Sequence, residues 1–334
     1  MSLGAALSSI LAGPLPQEGQ SSVINGVDYV TQGDVLRSRK ALAVDKDALA
    51  DFYHKHWTLE GAYDDQFSDD YQAEIFEVMF GDHFTKVANN VPTGAYVLDI
   101  GCGSGVAGRT FFKPVLDRIH YIAVDMSGSI DQAKREFEQR HIQADYVQAD
   151  ISSLPFRKEA VDYVFCPGVL HYTDSIADSV CSLAQHLKKG GRFITWMYKE
   201  QKPIRRFTDD MLRAYFTAMS PEEAFEAMKP LTKLGIALGE AGAKITVPED
   251  VPVLEIEKGE YDLQRFIYYH VLKLFYHPNL SFTRHNVNNW NAYYPGGVLF
   301  PPLKLIREAF TSNGFTIDYF NPGGNGVSVV ATKL

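Results

Sequence analysis

Alternating strand and helix patterns between Tyr96 and Tyr198 limit the fold of this chain more than any other feature. Short apolar runs such as YVLDI, HYIAVD and VDYVFC are separated by amphipathic stretches and by turns. Apolar runs of this length are typical of buried strands, and the amphipathic stretches are typical of helices. Strands joined by helices form right-handed crossovers. These produce a mainly parallel sheet with helices on both faces, an α/β fold.

The alternation stops after the fifth predicted strand, RFITWMY, and resumes only near residue 300. The intervening stretch is aromatic and mainly helical in pattern, and Ser220-Pro221-Glu222-Glu223 predicts a capping box at one helix start. The last two strands, FTIDYF and VSVVATK, are joined by NPGGNG, which is too short for a helical crossover, so they should be antiparallel. We therefore predict an N-terminal extension (1–60), a main domain (61–198 and 300–334) and an inserted helical cap (199–299).

Local signals add three expectations that the structure can test. SSVINGVDYV predicts a hairpin around Asn25-Gly26, a dipeptide that suits a type I′ turn. SIDQAKREFEQRH predicts a helix with Ser129 and Gln132 at capping-box spacing. The helix after the fourth strand is predicted to continue to its basic last turn at Lys188–Gly190.

The segment VLDIGCGSG ends the first predicted strand in a turn that contains Gly101, Gly103 and Gly105. A turn without side chains lets a ligand approach the backbone and leaves N–H groups accessible at the start of the next helix. Two classes of ligand use such a turn. One is a dinucleotide, because Gly103–Gly108 matches G-x-G-x-x-G, and the other is S-adenosyl-L-methionine. The glycines alone do not decide between them.

Three acidic residues at successive strand ends favour the second ligand. Asp99, just before the glycines, would repel a pyrophosphate but could hold an ammonium group, directly or through water. Asp125 ends the second strand, where a carboxylate can accept from both ribose hydroxyls. Asp150 ends the third strand, where it could accept from the adenine amino group while Ile151 packs on the ring. A dinucleotide site would need only Asp125.

With these residues the sequence resembles the class I S-adenosylmethionine-dependent methyltransferases. The matching pieces occur in the family's order: VLDIGCGSG, AVD, QADISSLPF, VDYVFCPGVLHY, LKKGGRFI and the final strand pair. The resemblance implies a Rossmann-like sheet of seven strands with an antiparallel last strand, S-adenosyl-L-methionine as methyl donor and S-adenosyl-L-homocysteine as product.

The resemblance also implies roles for individual residues. The three glycines would back the methionine part, Asp125 would lie at the ribose, Asp150 and Ile151 would lie at the adenine, and Met126 would also contact the cofactor. Cys166 and His171 would line the methyl end. Tyr63, in GAYDDQF, resembles aromatic residues that close over the cofactor from the N-terminal side.

Acceptor residues are expected near the methyl end and in the cap. Methyl transfer is an in-line displacement, so the enzyme mainly aligns the acceptor, and a base is needed only if the acceptor keeps its proton. His171 is the candidate catalytic base, with a structural or cofactor-contacting role as the alternative. Tyr172, Tyr198, Trp290 and Tyr293 are candidate acceptor contacts, and HNVNNWNAYYPGG, which holds the last two, is expected to be an Asn-rich loop.

Composition limits the classes of partner. The formal net charge of −9 argues against DNA binding and disfavours RNA, although a local RNA site stays open. The three cysteines, Cys102, Cys166 and Cys181, form neither a CxxC metal motif nor a disulfide framework, so we expect no metal and a reducing, cytoplasmic setting. No segment is long and apolar enough to predict a membrane span.

The sequence therefore predicts methyl transfer to a small-molecule acceptor, which could be a metabolite, a lipid-like molecule or a glycan, at oxygen or nitrogen. Four alternatives remain: an RNA or protein methyltransferase, an NAD-dependent Rossmann enzyme, a binding protein without turnover, and a methylene-transferring cyclopropane synthase. The acceptor and the oligomeric state stay open.

Overall fold

The computed structural model describes residues 4–40, 42–60, 62 and 67–334, without the side chains of residues 67 and 68. Within these residues the chain divides into two compact units. The first comprises Met1–Thr58, Ser68–Lys199 and Pro301–Leu334, and the second comprises Leu59–Phe67 and Glu200–Phe300.

The elements follow one another in four groups along the chain. The N-terminal group is α1 (Ala5–Ile10), β1 (Ser21–Ile24), β2 (Val27–Gln32), β3 (Val35–Ser38), α2 (Val44–Thr58), α3 (Phe67–Phe80) and α4 (Asp82–Asn89). The alternating group is β4 (Tyr96–Ile100), α5 (Val106–Phe111), β5 (His120–Asp125), α6 (Ser129–Gln139), β6 (Asp145–Gln148), β7 (Val161–Phe165), α7 (Ile176–Ala184) and β8 (Leu187–Tyr198). The inserted group is α8 (Pro203–Phe216), α9 (Pro221–Glu240), β9 (Lys244–Val247), β10 (Gly259–Asp262), α10 (Leu263–His270) and α11 (Phe282–Tyr293). The final group is α12 (Leu303–Thr311), β11 (Phe315–Asn321) and β12 (Gly326–Lys333).

The described part of the first unit contains a ten-stranded sheet in the order β1-β2-β3-β6-β5-β4-β7-β8-β12-β11. Strands β6, β5, β4, β7 and β8 are parallel to one another, whereas β12 runs antiparallel to both β8 and β11. The predicted α/β class, the mainly parallel sheet and the antiparallel last strand are confirmed. The carboxyl ends of the parallel strands meet at one edge, where open α/β sheets bind their ligands.

The count of seven strands requires a correction. Strands β1, β2 and β3 form an antiparallel meander, and β3 pairs in parallel with β6, with Val35 opposite Tyr146. The N-terminal residues therefore extend the sheet, because the open edge of β6 offers unpaired backbone groups. The predicted hairpin is present, since Asn25 and Gly26 both have positive φ, 51° and 76°, as a type I′ turn requires.

Two local predictions are wrong, and each has a physical reason. Helix α6 begins after Gly128 and has no capping box, because the Ser129 hydroxyl lies within the fold and bonds to the Tyr53 carbonyl at 3.1 Å. Helix α7 ends at Ala184, and Lys188 belongs to β8, where its ammonium donates to both Asp162 oxygens at 2.8 and 2.9 Å.

Aromatic rings fill the space between the sheet and the helices α3 and α5. The Phe111 ring of α5 lies 5.4 Å from the Phe76 ring of α3 and 4.8 Å from the Phe165 ring of β7, and all three side chains are buried. Burial of each ring stabilises the fold by roughly 1.5–3 kcal/mol. These contacts hold α5, which follows the glycine turn, against the sheet.

The second unit contains helices α8–α11 and the hairpin of β9 and β10. Its predicted capping box is confirmed, with the Ser220 hydroxyl and the Glu223 carboxylate each accepting from the other residue's backbone N–H. Asn286 and Asn289, expected in a loop, lie in α11, where they are buried and bond to Thr232 of α9 at 2.7 and 3.0 Å. The loop prediction is wrong, because these asparagines serve as buried links between two helices.

A buried ion pair adds to this interior. The Arg205 guanidinium donates twice to the Asp209 carboxylate, at 3.1 and 2.9 Å, and once to the Tyr268 carbonyl oxygen. Both side chains of the pair are almost fully buried.

Among the helices of the described residues, none is both long and apolar enough to cross a membrane.

Candidate functional site

The glycine turn joins β4 to α5 at the carboxyl edge of the sheet. Gly101, Gly103 and Gly105 have φ values of 68°, 56° and 79°, which L side chains rarely adopt. A Cβ at any of them would also come within 2.4 Å of another side chain, that of Val169, Trp57 or Phe137 respectively. The three positions therefore require glycine for two independent reasons.

Asp99 lies in β4 just before this turn and is only 1% exposed. The Tyr121 hydroxyl donates to its Oδ2 atom. Burial raises the pKa of Asp99 to about 7, with Asp125 adding to the effect and the Tyr121 hydroxyl opposing it. The predicted contact with an ammonium group suits such a carboxylate, because a nearby cation would favour its ionised form.

Asp125 ends β5 and connects it to the glycine turn. Its Oδ2 atom accepts from the Gly103 N–H at 2.9 Å, and its Oδ1 atom accepts from the N–H and hydroxyl of Ser127 at 2.8 and 2.7 Å. Burial raises the pKa of Asp125, whereas these donors lower it. The carboxylate thus has a fixed orientation beside the glycines.

A cavity of about 780 Å³ lies next to the ends of β5 and β6. Its lining includes Met126, Gln148 and Asp150, and also Arg37 of β3 and Lys46 of α2. Arg37 donates to Gln148 at 2.8 Å and pairs with Asp131 of α6 at 2.6 Å. The N-terminal strands and α2 therefore form one wall of the cavity that contains two of the predicted cofactor residues.

Asp150 caps the short 3-10 turn that begins at Ile151. Its Oδ1 atom accepts from the Ser152 N–H at 2.8 Å, and its Oδ2 atom pairs with the Lys46 ammonium at 3.3 Å. Burial alone would raise the pKa of Asp150, but the Ser152 donors and the Lys46 charge together lower it. The carboxylate therefore stays ionised and can only accept hydrogen bonds in this cavity.

Cys166 and His171 lie in the segment that follows β7. The Cys166 N–H donates to the Ile194 carbonyl of β8 at 2.9 Å, and burial raises the pKa of its thiol well above the usual range. His171 is 1% exposed, and its ring lies 4.4 Å from the Tyr172 ring and 4.3 Å from the Tyr198 ring. The side chain of Val169 fills the space above Gly101, so this segment packs directly on the glycine turn.

Comparison with known proteins connects this arrangement to one family. Residues 98–195 match the family model described as a methyltransferase domain. Residues 98–195 therefore carry a methyltransferase domain. The matched residues contain the glycine turn, all three acidic strand ends and the segment of Cys166 and His171, whereas the final strand pair, which also carries the resemblance, lies outside them.

The relatives of this methyltransferase domain cover only part of the chain. An uncharacterised chloroplastic methyltransferase of Arabidopsis thaliana is 29% identical over 140 residues, which are 39% of this chain and 40% of the relative. A ubiquinone/menaquinone biosynthesis C-methyltransferase of Pseudomonas fluorescens is 28% identical over 141 residues, or 41% of this chain and 54% of the relative. The chain thus spans about half the length of these relatives or less.

A solved structure of a SAM-dependent methyltransferase from Aquifex aeolicus aligns with 80% of this chain and 98% of its own, at 10% identity and a TM-score of 0.42.

The structure adds residues to the candidate site that the sequence did not indicate. Helix α2 packs on the site: the Trp57 ring lies against Gly103, the His54 ring lies against Gly128, and the Tyr53 ring lies 5.5 Å from the Tyr172 ring. The sequence of α2 has no motif for such a role. Its high aromatic content, DFYHKHW, was the one available signal.

Three of the predicted site residues are not among the contacts described above. Tyr63 lies outside the described residues. Trp290 and Tyr293 belong to α11 of the second unit, where both are buried, Trp290 edge-on to the Phe225 ring at 5.4 Å and Tyr293 against the Phe216 ring at 6.5 Å. Their predicted contact with the acceptor stays a prediction.

Proposed function

We propose that this protein transfers a methyl group from S-adenosyl-L-methionine to a small-molecule acceptor. The observation that carries the proposal is the glycine turn with left-handed backbone at Gly101, Gly103 and Gly105, beside the buried carboxylates of Asp99 and Asp125. Such a turn keeps a backbone surface open for a ligand, and the two carboxylates complement an ammonium group and ribose hydroxyls better than a pyrophosphate. The match to a methyltransferase domain supports the same choice.

In this proposal each segment of the site holds one part of S-adenosyl-L-methionine, whose sulfonium supplies the activated methyl group. Asp125 accepts from the ribose hydroxyls and Asp99 is near the ammonium group. Met126 and Ile151 pack on the adenine, whose amino group donates to Asp150. The chain's contribution to rate is alignment of the acceptor with the methyl group, which is worth about 7–11 kcal/mol in well-oriented reactions.

A small-molecule acceptor is supported by the relatives and by the charge of the chain. The Pseudomonas fluorescens relative bears the name of an enzyme of quinone biosynthesis. The net charge of −9 disfavours a nucleic-acid substrate. We also expect the protein to act in the cytoplasm, since its three cysteines are free thiols.

Binding of S-adenosyl-L-homocysteine to matched glycine variants tests the cofactor site. In Gly103→Ala the new Cβ meets the Trp57 ring, so calorimetry should show affinity weakened at least about 100-fold, which is about 2.7 kcal/mol. Gly314→Ala is the control, because Gly314 has the same type of backbone, φ 78°, and no atom within 4 Å of its Cβ position. It should bind like the wild type.

Two results would overturn the proposal. One is tight binding of NAD with no binding of S-adenosyl-L-homocysteine, which would indicate a dinucleotide enzyme. The other is transfer of the label from methyl-labelled S-adenosyl-L-methionine to an RNA or a protein, with no transfer to any member of a panel of small molecules that carry hydroxyl, amino and carboxyl groups.

A further inference from the structure

Helix α2 lies outside the matched residues 98–195, yet one of its side chains lines the cavity at the ends of β5 and β6. This side chain is Lys46, and the same cavity contains Met126 and Asp150. The Lys46 ammonium lies 3.3 Å from the Oδ2 atom of Asp150 and 3.6 Å from the Oδ2 atom of Asp174. Lys46 thus brings a positive charge to the place where the proposed function puts the adenine.

The Lys46 ammonium has more donors than its two partners use. Burial lowers the pKa of Lys46, but the charges of Asp150 and Asp174 raise it by more, so the ammonium keeps its proton. An ammonium has three N–H donors, and the two carboxylates take two of them. One N–H therefore remains for a ligand in the cavity.

Asp150 keeps one acceptor position in the same way. Its Oδ1 atom accepts from the N–H and the hydroxyl of Ser152, and its Oδ2 atom accepts from Lys46. Each carboxylate oxygen has two lone pairs, so Oδ2 retains one of them. The pair of Lys46 and Asp150 therefore presents one donor next to one acceptor.

An edge of adenine has the complementary pattern. The amino group is a donor, and the ring nitrogens N1 and N7 on either side of it are acceptors. The side-chain amides of Asn and Gln recognise adenine through such a pattern, because the amide oxygen accepts from the amino group while the amide nitrogen donates to N7. Lys46 and Asp150 offer the same two functions from two side chains.

The other charged groups that line the cavity are already paired or exposed. Arg37 donates to Gln148 and to both oxygens of Asp131. The exposed groups are Arg39, Lys40 and Asp47. The Ser153 hydroxyl also lines the cavity and has no hydrogen-bond partner among the described residues. It is a competing donor, and a variant of Lys46 itself can separate the two.

We propose that Lys46 is a cofactor-binding residue, whose ammonium donates to ring nitrogen N1 or N7 of the adenine while Asp150 accepts from the neighbouring amino group. This inference rests on the proposed binding of S-adenosyl-L-methionine. It extends the adenine site beyond the matched domain to a helix of the N-terminal region. Recognition of the adenine then requires both parts of the chain.

Calorimetry with S-adenosyl-L-homocysteine and its 1-deaza and 7-deaza analogues, in which a C–H replaces N1 or N7, tests this contact. In the wild type, at least one analogue should bind about tenfold more weakly than S-adenosyl-L-homocysteine, because a donor in the site loses its acceptor. Equal affinity for the three ligands would overturn the inference. No binding of S-adenosyl-L-homocysteine itself would instead refute the proposed function.

Lys46→Met retains an unbranched side chain but lacks the ammonium. It should bind S-adenosyl-L-homocysteine about tenfold more weakly than the wild type. It should also bind the disfavoured analogue as well as it binds S-adenosyl-L-homocysteine. Discrimination that persists in Lys46→Met would assign the donor to another group, such as the Ser153 hydroxyl, and would overturn the inference.

Lys86→Met is the matched control. Lys86 also pairs with an aspartate, Asp82 at 3.9 Å, but both side chains are exposed on α4, so the variant should bind all three ligands within about twofold of the wild type. A purely structural role of Lys46 would not depend on a ring nitrogen. In that case Lys46→Met would weaken the binding of all three ligands by the same factor, which would also overturn the inference.

Discussion

Around α3 and α5 the interior of the first unit is filled by aromatic rings, whereas around α8 and α11 the interior of the second unit holds an ion pair and a network of amides. Phe111 of α5 is surrounded by the rings of Phe76 of α3, Phe112 and Phe165 of β7. In the second unit, Arg205 and Asp209 pair inside the unit, and Asn286 and Asn289 connect α11 to Thr232 of α9. The contacts around Phe111 and those around Thr232 thus fix neighbouring helices by different interactions.

This difference has consequences for how the units respond to substitution. Apolar contacts depend on volume and tolerate changes of similar size and shape. Buried polar groups depend on their partners, because removal of one leaves the other without compensation for its lost hydration. The ring packing around Phe111 should therefore be sensitive to cavities, and the Arg205 pair and the network around Thr232 to the loss of single polar atoms.

Phe111→Ala should cause the largest loss of stability. The substitution leaves a cavity among at least three rings and should lower the free energy of unfolding by about 4 kcal/mol. Urea denaturation followed by tryptophan fluorescence measures the loss. Phe111→Leu, which leaves a smaller cavity, should lose less than half as much, and an equal loss in both variants would contradict the volume argument.

Asp209→Asn should destabilise the second unit by about 3 kcal/mol, since it leaves the Arg205 charge buried without its carboxylate. Asp210→Asn is a close control, because Asp210 pairs with Arg206 at the same i,i+4 spacing on the same helix, 3.9 Å apart and exposed. That pair should contribute less than about 0.5 kcal/mol. Hydrogen exchange of α8 measures both variants, and similar effects would show that burial is not the deciding factor.

Asn289→Ala should cost about 2 kcal/mol, the smallest of the three effects. It removes the acceptor for the partly buried Phe275 N–H at 2.9 Å and the donor to the buried Thr232 hydroxyl, leaving both groups without this partner. Thermal unfolding of the full chain provides the measurement. An additional Thr232→Val change should cost less in this background than in the wild type, and strict additivity would speak against a network.

Much of the first unit could be predicted because its signals are local. The strand runs, the Asn25-Gly26 turn and the short link between the last two strands are patterns of neighbouring residues, and these elements were predicted correctly. The pairing of β3 with β6 could not be predicted, because it joins segments far apart in sequence and its only local requirement is an open sheet edge. The contact between α2 and Gly103 could not be predicted for the same reason.

The candidate site shows the same division. The glycines and the acids Asp99, Asp125 and Asp150 could be proposed as site residues because their chemistry and their spacing along the chain are both unusual. Lys46 was missed, since a single lysine in a helix has no distinctive pattern and becomes relevant only by its 3.3 Å contact with Asp150. Sequence could present His171 as a possible base, but the lone pair on its Nδ1 atom depends on a backbone N–H at Tyr198.

By itself, the sequence determined the α/β class, the glycine turn and the acidic strand ends, because each depends on residue types at short spacing. Only the tertiary structure decided which distant side chains complete the site, which strands extend the sheet and which polar residues are buried. These depend on distances between segments that the chain order does not encode. Burial then sets the protonation of each group, since desolvation and partners shift its pKa.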